Sequence, residues 1–125
     1  MLITRDVFAS DFDAFIDKMR SILLKKNHDY TAGAGAADPL HNFRRSENFG
    51  VPGWKGALVR FSDKFSRLET FAKKEHFEVN DENFQDTLID AANYLFLISE
   101  LYKEYKNAKD SESTKDSNRP SVVTG

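Results

Sequence analysis

Residues 81–98 read D-E-N-F-Q-D-T-L-I-D-A-A-N-Y-L-F-L-I, and their spacing decides the fold. Phe84, Leu88, Ile89, Ala91, Ala92, Leu95, Phe96 and Ile98 recur at helical intervals and predict a largely buried helix. A polar line runs along it. Glu82, Asp86 and Asp90 are four residues apart, and Asn93 follows three later. At 100° per residue these four lie within about 80° of one another, on one side of the helix. Like charges four apart weaken a helix, and charges beside a core are costly unless paired. The acidic line therefore calls for a positive counterpart: a metal ion, a basic helix, or both.

Working outward, the preceding helix is expected from near Pro52 to about Lys74. Trp54, Leu58, Phe61, Phe65, Leu68 and Ala72 share one face, and Arg60, Asp63, Lys64 and Arg67 the opposite one. The last helix is expected to start at Asn80 or Asp81, both competent caps, and to reach about Asn107. A first helix is predicted from about Asp11 to Asn27, capped by Ser10. Phe12, Phe15, Ile16, Met19, Ile22 and Leu23 form its apolar stripe, and Lys25 and Lys26 close it. Residues 32–39 break any helix and read as a long loop, of the kind that is either functional or disordered in so small a domain. A short helix follows over Pro39–Asn48, with Asp38 as cap and Gly50 as its end. No alternating strand pattern is present. The expectation is an all-α, antiparallel bundle of three long helices and one short helix. Residues 1–107 form its single domain, and the polar stretch 108–125 reads as a disordered tail.

Composition narrows the function classes. The 125 residues carry a net charge near −2, which gives no general attraction to nucleic acid, and Arg44 with Arg45 is too small a patch to alter that. With no cysteine, disulfides, zinc–thiolate sites and cysteine nucleophiles are excluded. No secretory signal and no membrane-length apolar run is apparent, so a cytoplasmic protein is expected. His28 and His41 lack metal-ligand spacing and read as surface or capping residues, and Trp54 reads as a core anchor. The G-A-G-A segment matches no phosphate-binding glycine motif.

An antiparallel hairpin of the last two helices brings the two charged stripes face to face. Asp63, Glu82, Asp86 and Asp90 then become candidate ligands for Mg²⁺, with Asp90 a ligand or a supporting partner. Arg60, Lys64, Arg67 and Lys26 suit phosphates. Glu47 either joins the carboxylates or is solvated. The competing reading of the same stripes is an interhelical ion-pair network. In K-N-H-D-Y (residues 26–30), Asn27, Asp29 and Tyr30 are candidates for a base or sugar, with Asn42 and Asn93. Plain helix-end chemistry is the alternative there.

Four ordered motifs carry a resemblance over about residues 22–101: K-N-H-D-Y, D-P-L-H-N-F-R-R-S-E-N-F-G, G-A-L-V-R-F-S-D-K-F-S-R-L and N-D-E-N-F-Q-D-T-L-I-D-A-A-N-Y. Together they resemble the nucleotide modification associated domain 1 family of phage and bacterial proteins. That family is similar in turn to the all-α nucleoside triphosphate pyrophosphohydrolases of the MazG and dimeric dUTPase group. The resemblance implies a MazG-like helical fold, a homo-oligomer (dimer or tetramer), Mg²⁺, and cleavage of a free (d)NTP to monophosphate and pyrophosphate. Glu82 and Asp86 would be catalytic, and a phage-encoded protein would work in the host cytoplasm. The wider group carries a Glu-x-x-Glu on one helix and a Glu-x-x-Asp on the next. Here Glu82, Asp86 and Asp90 match the second element loosely, at spacing four instead of three; for the first only Asp63 is acidic on the relevant face, and Lys64 and Arg67 stand where more carboxylates would be expected. Such cations suit a protein that binds a nucleotide without cutting it. A non-catalytic binder or a purely structural helical oligomer is therefore the alternative.

Overall fold

The computed structural model describes residues 1–31, 38–76 and 83–117, and the side chains of these except 29–31 and 114–117. All regular structure among them is helical. Helix α1 spans Arg5–Thr31, α2 spans Gly53–Lys74, and α3 spans Phe84–Ser117. Two 3₁₀ turns, His41–Phe43 and Arg45–Phe49, lie between α1 and α2. No helix among the described residues is long and apolar enough to cross a membrane.

Helices α2 and α3 form the antiparallel hairpin that the sequence predicts. Phe71, near the end of α2, stacks on Phe84 at the start of α3, with centroids 4.2 Å apart. At the other end Trp54 meets Tyr102 edge-on at 5.3 Å. Gly53 and Ala57 are small and buried, which lets the two backbones approach. A Cβ at Gly53 would sit 3.0 Å from the Phe43 carbonyl and 3.2 Å from Leu101. The core gathers where all elements meet: Leu40, Ala57, Leu97 and Leu101, with Leu23, Phe43, Trp54 and Ile98 packed around them.

Several expected boundaries move. Helix α1 starts at Arg5, not Asp11. Thr4 does the work assigned to Ser10, its hydroxyl accepting from the Val7 amide at 3.3 Å. At its other end α1 continues beyond Asn27 to Thr31, so K-N-H-D-Y lies within the helix and not past its end. The predicted helix at Pro39–Asn48 is instead the pair of 3₁₀ turns, separated at Arg44. Asp38 still caps, accepting from the Leu40 amide at 3.2 Å. Gly50 ends the segment with φ of 76°, a conformation that favours glycine.

The caps expected for α3, Asn80 and Asp81, lie outside the described residues. Asn83 serves, its side-chain oxygen accepting from the Gln85 amide at 2.8 Å. Helix α3 also passes Asn107 and runs to Ser117, so the first ten residues of the expected tail are helical. No glycine or proline interrupts that stretch, and a Lys106–Asp110 pair one turn apart supports it at 3.8 Å. Residues 118–125 lie outside the described residues.

Two faces differ from expectation. In α2 the side turned to α3 carries Ala57, Phe61, Lys64 and Leu68, while Leu58, Phe65 and Ala72 are exposed. Lys64 therefore belongs to the packed side rather than the opposite one. In α1, Phe15, Met19, Ile22 and Leu23 are half-buried, but Phe8 and Phe12 remain 68% and 59% exposed and Ile16 is exposed too.

Candidate functional site

A cavity of about 690 Å³ opens between the C-terminal half of α1, the 3₁₀ turns, the first half of α2 and the middle of α3. Helical spacing supplies its walls: Gly56, Arg60 and Lys64 from α2, and Asp90, Asn93 and Leu97 from α3, each set rising at intervals of three or four. Lys26 and Asn27 enter from α1, and Asn42, Arg45 and Ser46 from the 3₁₀ turns. Gly56 is required by the close approach of that segment, because a Cβ there would lie 2.6 Å from the Ser46 hydroxyl. That hydroxyl is buried and has no hydrogen-bond partner among the described residues, which leaves an unmet bond on the cavity wall.

Charge around the cavity is strongly one-sided. Lys26, Arg45, Arg60 and Lys64 line it, and Asp90 is the one carboxylate among the described lining residues. Asp90 is shared. One oxygen accepts from Lys26 at 2.9 Å, and the other lies 3.7 Å from Lys64. The Asp90 and Lys64 side chains are 24% and 23% exposed, so water screens them incompletely. Arg60 lies over the Phe43 ring at 5.6 Å and Lys64 over Tyr94 at 5.8 Å, and the two rings meet edge-on at 6.0 Å. Asn93 is buried and donates to the Met19 carbonyl at 3.1 Å, tying α3 to α1 beneath the cavity. The Asn27 side chain donates to the Pro39 carbonyl, so it fastens the wall and does not cap a helix.

The structure thus brings together Lys26, Asn27, Asn42, Arg60, Lys64, Asp90 and Asn93 from the predicted set. Asp63 and Arg67 are exposed on α2 and do not line the cavity. Asp86 is also outside it, paired with Lys18 at 3.2 Å where both side chains are more than half exposed. Glu82 and the side chains of Asp29 and Tyr30 lie outside the described residues. Glu47 is exposed beside the start of α2, and His28 and His41 are exposed as expected. Arg45, Ser46, Phe43 and Tyr94 were missed as site residues. The Arg44–Arg45 doublet was their only sequence signal.

Among the described residues, no three His, Asp or Glu side chains converge as metal ligands. Asp63 and Asp86 are exposed and lie outside the cavity, and Asp90 faces two ammonium groups. The described donors therefore do not fit a Mg²⁺ site, which needs oxygen ligands and is repelled by nearby cations. The positive counterpart that the acidic line calls for is, for Asp86 and Asp90, a set of lysines: Lys18 and Lys26 from α1, and Lys64 from α2.

Arg44 turns away from the cavity and holds its wall in place. Its guanidinium donates to both Asp38 oxygens at 2.7 and 2.8 Å and to Glu104 on α3 at 2.9 Å. The hydrogen bond from Arg44 holds the Asp38 carboxyl below its ordinary value of 3.8, at about 2. A depressed carboxylate stabilises the fold above its ordinary pKa, and that contribution disappears as pH falls from near 4 through about 2. Arg44→Ala is expected to cost about 1 kcal/mol at neutral pH, since all three side chains are partly solvated. Thermal melts from pH 7 to pH 2 check this: wild type should lose more stability than the variant below pH 4.

Comparison with protein-family models, with curated proteins and with solved structures finds no match for this chain.

Proposed function

We propose that this chain binds a nucleotide in the cavity between α1, α2 and α3. The phosphates lie against Lys26, Arg45, Arg60 and Lys64. The base lies beside Phe43 and Tyr94, with Asn27, Asn42 and Asn93 on the surrounding wall. The observation that carries this reading is the excess, among the described residues, of four cations over one carboxylate around a cavity that also holds aromatic edges and a hydroxyl without a described partner. Clustered cations with so few anions repel one another, and an anionic ligand relieves that repulsion. Arginine and lysine donors suit phosphate oxygens, and the aromatic walls suit a base.

A second reading, implied by the resemblance, is a MazG-like, Mg²⁺-dependent pyrophosphohydrolase of phage or bacterial type, acting in the cytoplasm. Asp86 and Asp90 stand one turn apart on α3 and favour it, with Glu82 next in the same line of sequence. The described carboxylates alone do not assemble such a centre, so catalysis would depend on Glu82. A panel of ribo- and deoxyribonucleotides separates the two readings, each titrated with and without Mg²⁺ and assayed for pyrophosphate release. Saturable binding without release supports the binder, and Mg²⁺-dependent release supports the hydrolase. No binding by any nucleotide removes both.

We also propose a homo-oligomer, a dimer or tetramer. The stripe on α1 that packs through Phe15, Met19 and Leu23 continues into exposed Phe12 and Phe8. A second copy is the simplest cover for that surface. Light scattering at micromolar concentration is expected to give at least twice 14.3 kDa, and a monomer contradicts it.

A further inference from the structure

We propose that Asp90 is an internal substitute for the ligand's anionic group, holding Lys26 and Lys64 in place until phosphate displaces it. The inference rests on the nucleotide-binding reading of the cavity and concerns how that site is kept ready. Lys26 comes from α1 and Lys64 from α2, and both reach the cavity wall. With no anion between them, these ammonium groups and the neighbouring Arg60 repel one another. Asp90, on α3, supplies that anion from within the chain and splits its oxygens between the two lysines. The grip is uneven. The Lys26 contact is a hydrogen bond of ordinary length, 2.9 Å, whereas the Lys64 contact of 3.7 Å is an ion pair without one.

A phosphate or pyrophosphate carries more charge than one carboxylate and more acceptor oxygens in a compact volume. It can take both ammonium groups at once. The lysines then exchange one anion for another, and the fold loses little by the exchange. Asp90 therefore stabilises the empty protein and opposes the ligand, the reverse of what a metal-ligating carboxylate would do. Asp86 offers an internal comparison: it has the same chemistry and a lysine partner but lies outside the cavity.

The test is calorimetric titration of inorganic pyrophosphate, without divalent cations, into wild type, Asp90→Asn and Asp86→Asn. Asp90→Asn is expected to bind about tenfold more tightly, on the scale of one charge-assisted contact released from competition. Its ligand-free melting temperature should fall, while the shift produced by pyrophosphate should grow. Asp86→Asn should bind within about twofold of wild type, since surface ion pairs contribute little. Equal or weaker binding by Asp90→Asn overturns the proposal. Should that variant fail to fold, the carboxylate carbon resonance of Asp90 in wild type gives the answer. It should move on addition of pyrophosphate while that of Asp86 stays still, and an unmoved Asp90 overturns the proposal. If neither wild type nor Asp90→Asn binds pyrophosphate while a nucleotide still binds, this inference alone fails. If no nucleotide binds either, the binding reading falls with it.

Discussion

Replacing Arg60 and Lys64 together with alanine is expected to weaken nucleotide binding by about a hundredfold. Both side chains rise from one face of α2, one turn apart, and both line the cavity. Each sits over an aromatic ring that holds it toward the interior, Arg60 over Phe43 and Lys64 over Tyr94. Loss of one charge-assisted hydrogen bond costs about 1.5–3 kcal/mol. Two such losses give roughly a hundred- to ten-thousandfold, reduced wherever the remaining Lys26 and Arg45 compensate. The double variant should keep its helix content, because neither side chain belongs to the apolar core. Arg67→Ala is the control on the same helix. It lies outside the cavity, so its nucleotide affinity should stay within a fewfold of wild type. Isothermal titration of all three proteins checks this, and equal affinities would remove Arg60 and Lys64 from the site.

Leu101→Ala is expected to be strongly destabilising, at about 3–5 kcal/mol. Leu101 is 4% exposed and shares the core with Leu40, Ala57 and Leu97. Its side chain also lies against Gly53, where α2 begins and the 3₁₀ segment crosses. Truncation leaves a void at the junction of three elements, and a void between rigid helices closes poorly. A domain of this size holds only about 5–15 kcal/mol in total, so the loss is a large part of it. The 3₁₀ turns should loosen first, since Leu40 anchors them to the same cluster. Those turns carry Asn42, Arg45 and Ser46, so nucleotide affinity should fall along with stability. Urea denaturation measures the first effect, and titration at low temperature the second.

Much of the helical frame was legible because local chemistry and packing agree. V-P-G before Trp54 starts α2, Gly50 takes the left-handed turn, and the dense apolar pattern after Asn83 leaves α3 no alternative. The ends of α1 were less legible. Ser10 followed by Asp11 is a good capping pattern, but Thr4 followed by Asp6 is equally good and lies earlier. Asn, His, Asp and Tyr are modest helix formers, yet residues 27–30 continue the helix, and Asn27 gains a bond to the Pro39 carbonyl that no local pattern shows.

The site was legible in its residue types and less so in its partners. The acidic line on α3 and the cations on α2 were both visible, and Lys64 does meet Asp90. Spacing along one helix cannot say which neighbour a face will meet. The closest partners of Asp86 and Asp90 therefore came from α1, as Lys18 and Lys26. The face assignment of α2 followed its largest apolar residues, whereas small Gly53 and Ala57 set the contact with α3. Backbone approach there turned Lys64 inward and left Leu58 and Phe65 outside. The role of Arg44 depends on Glu104, sixty positions away, and had no local signature.

On the proposed reading the cavity, and no other surface, receives the phosphates. Heteronuclear NMR of the protein during titration with a nucleoside triphosphate tests it most directly. Saturable shifts are expected at the side chains of Lys26, Arg45, Arg60 and Lys64 and at the ring of Tyr94, with Asp63 and Arg67 unaffected. Shifts centred on Asp63 and Arg67, with the cavity residues still, would contradict it.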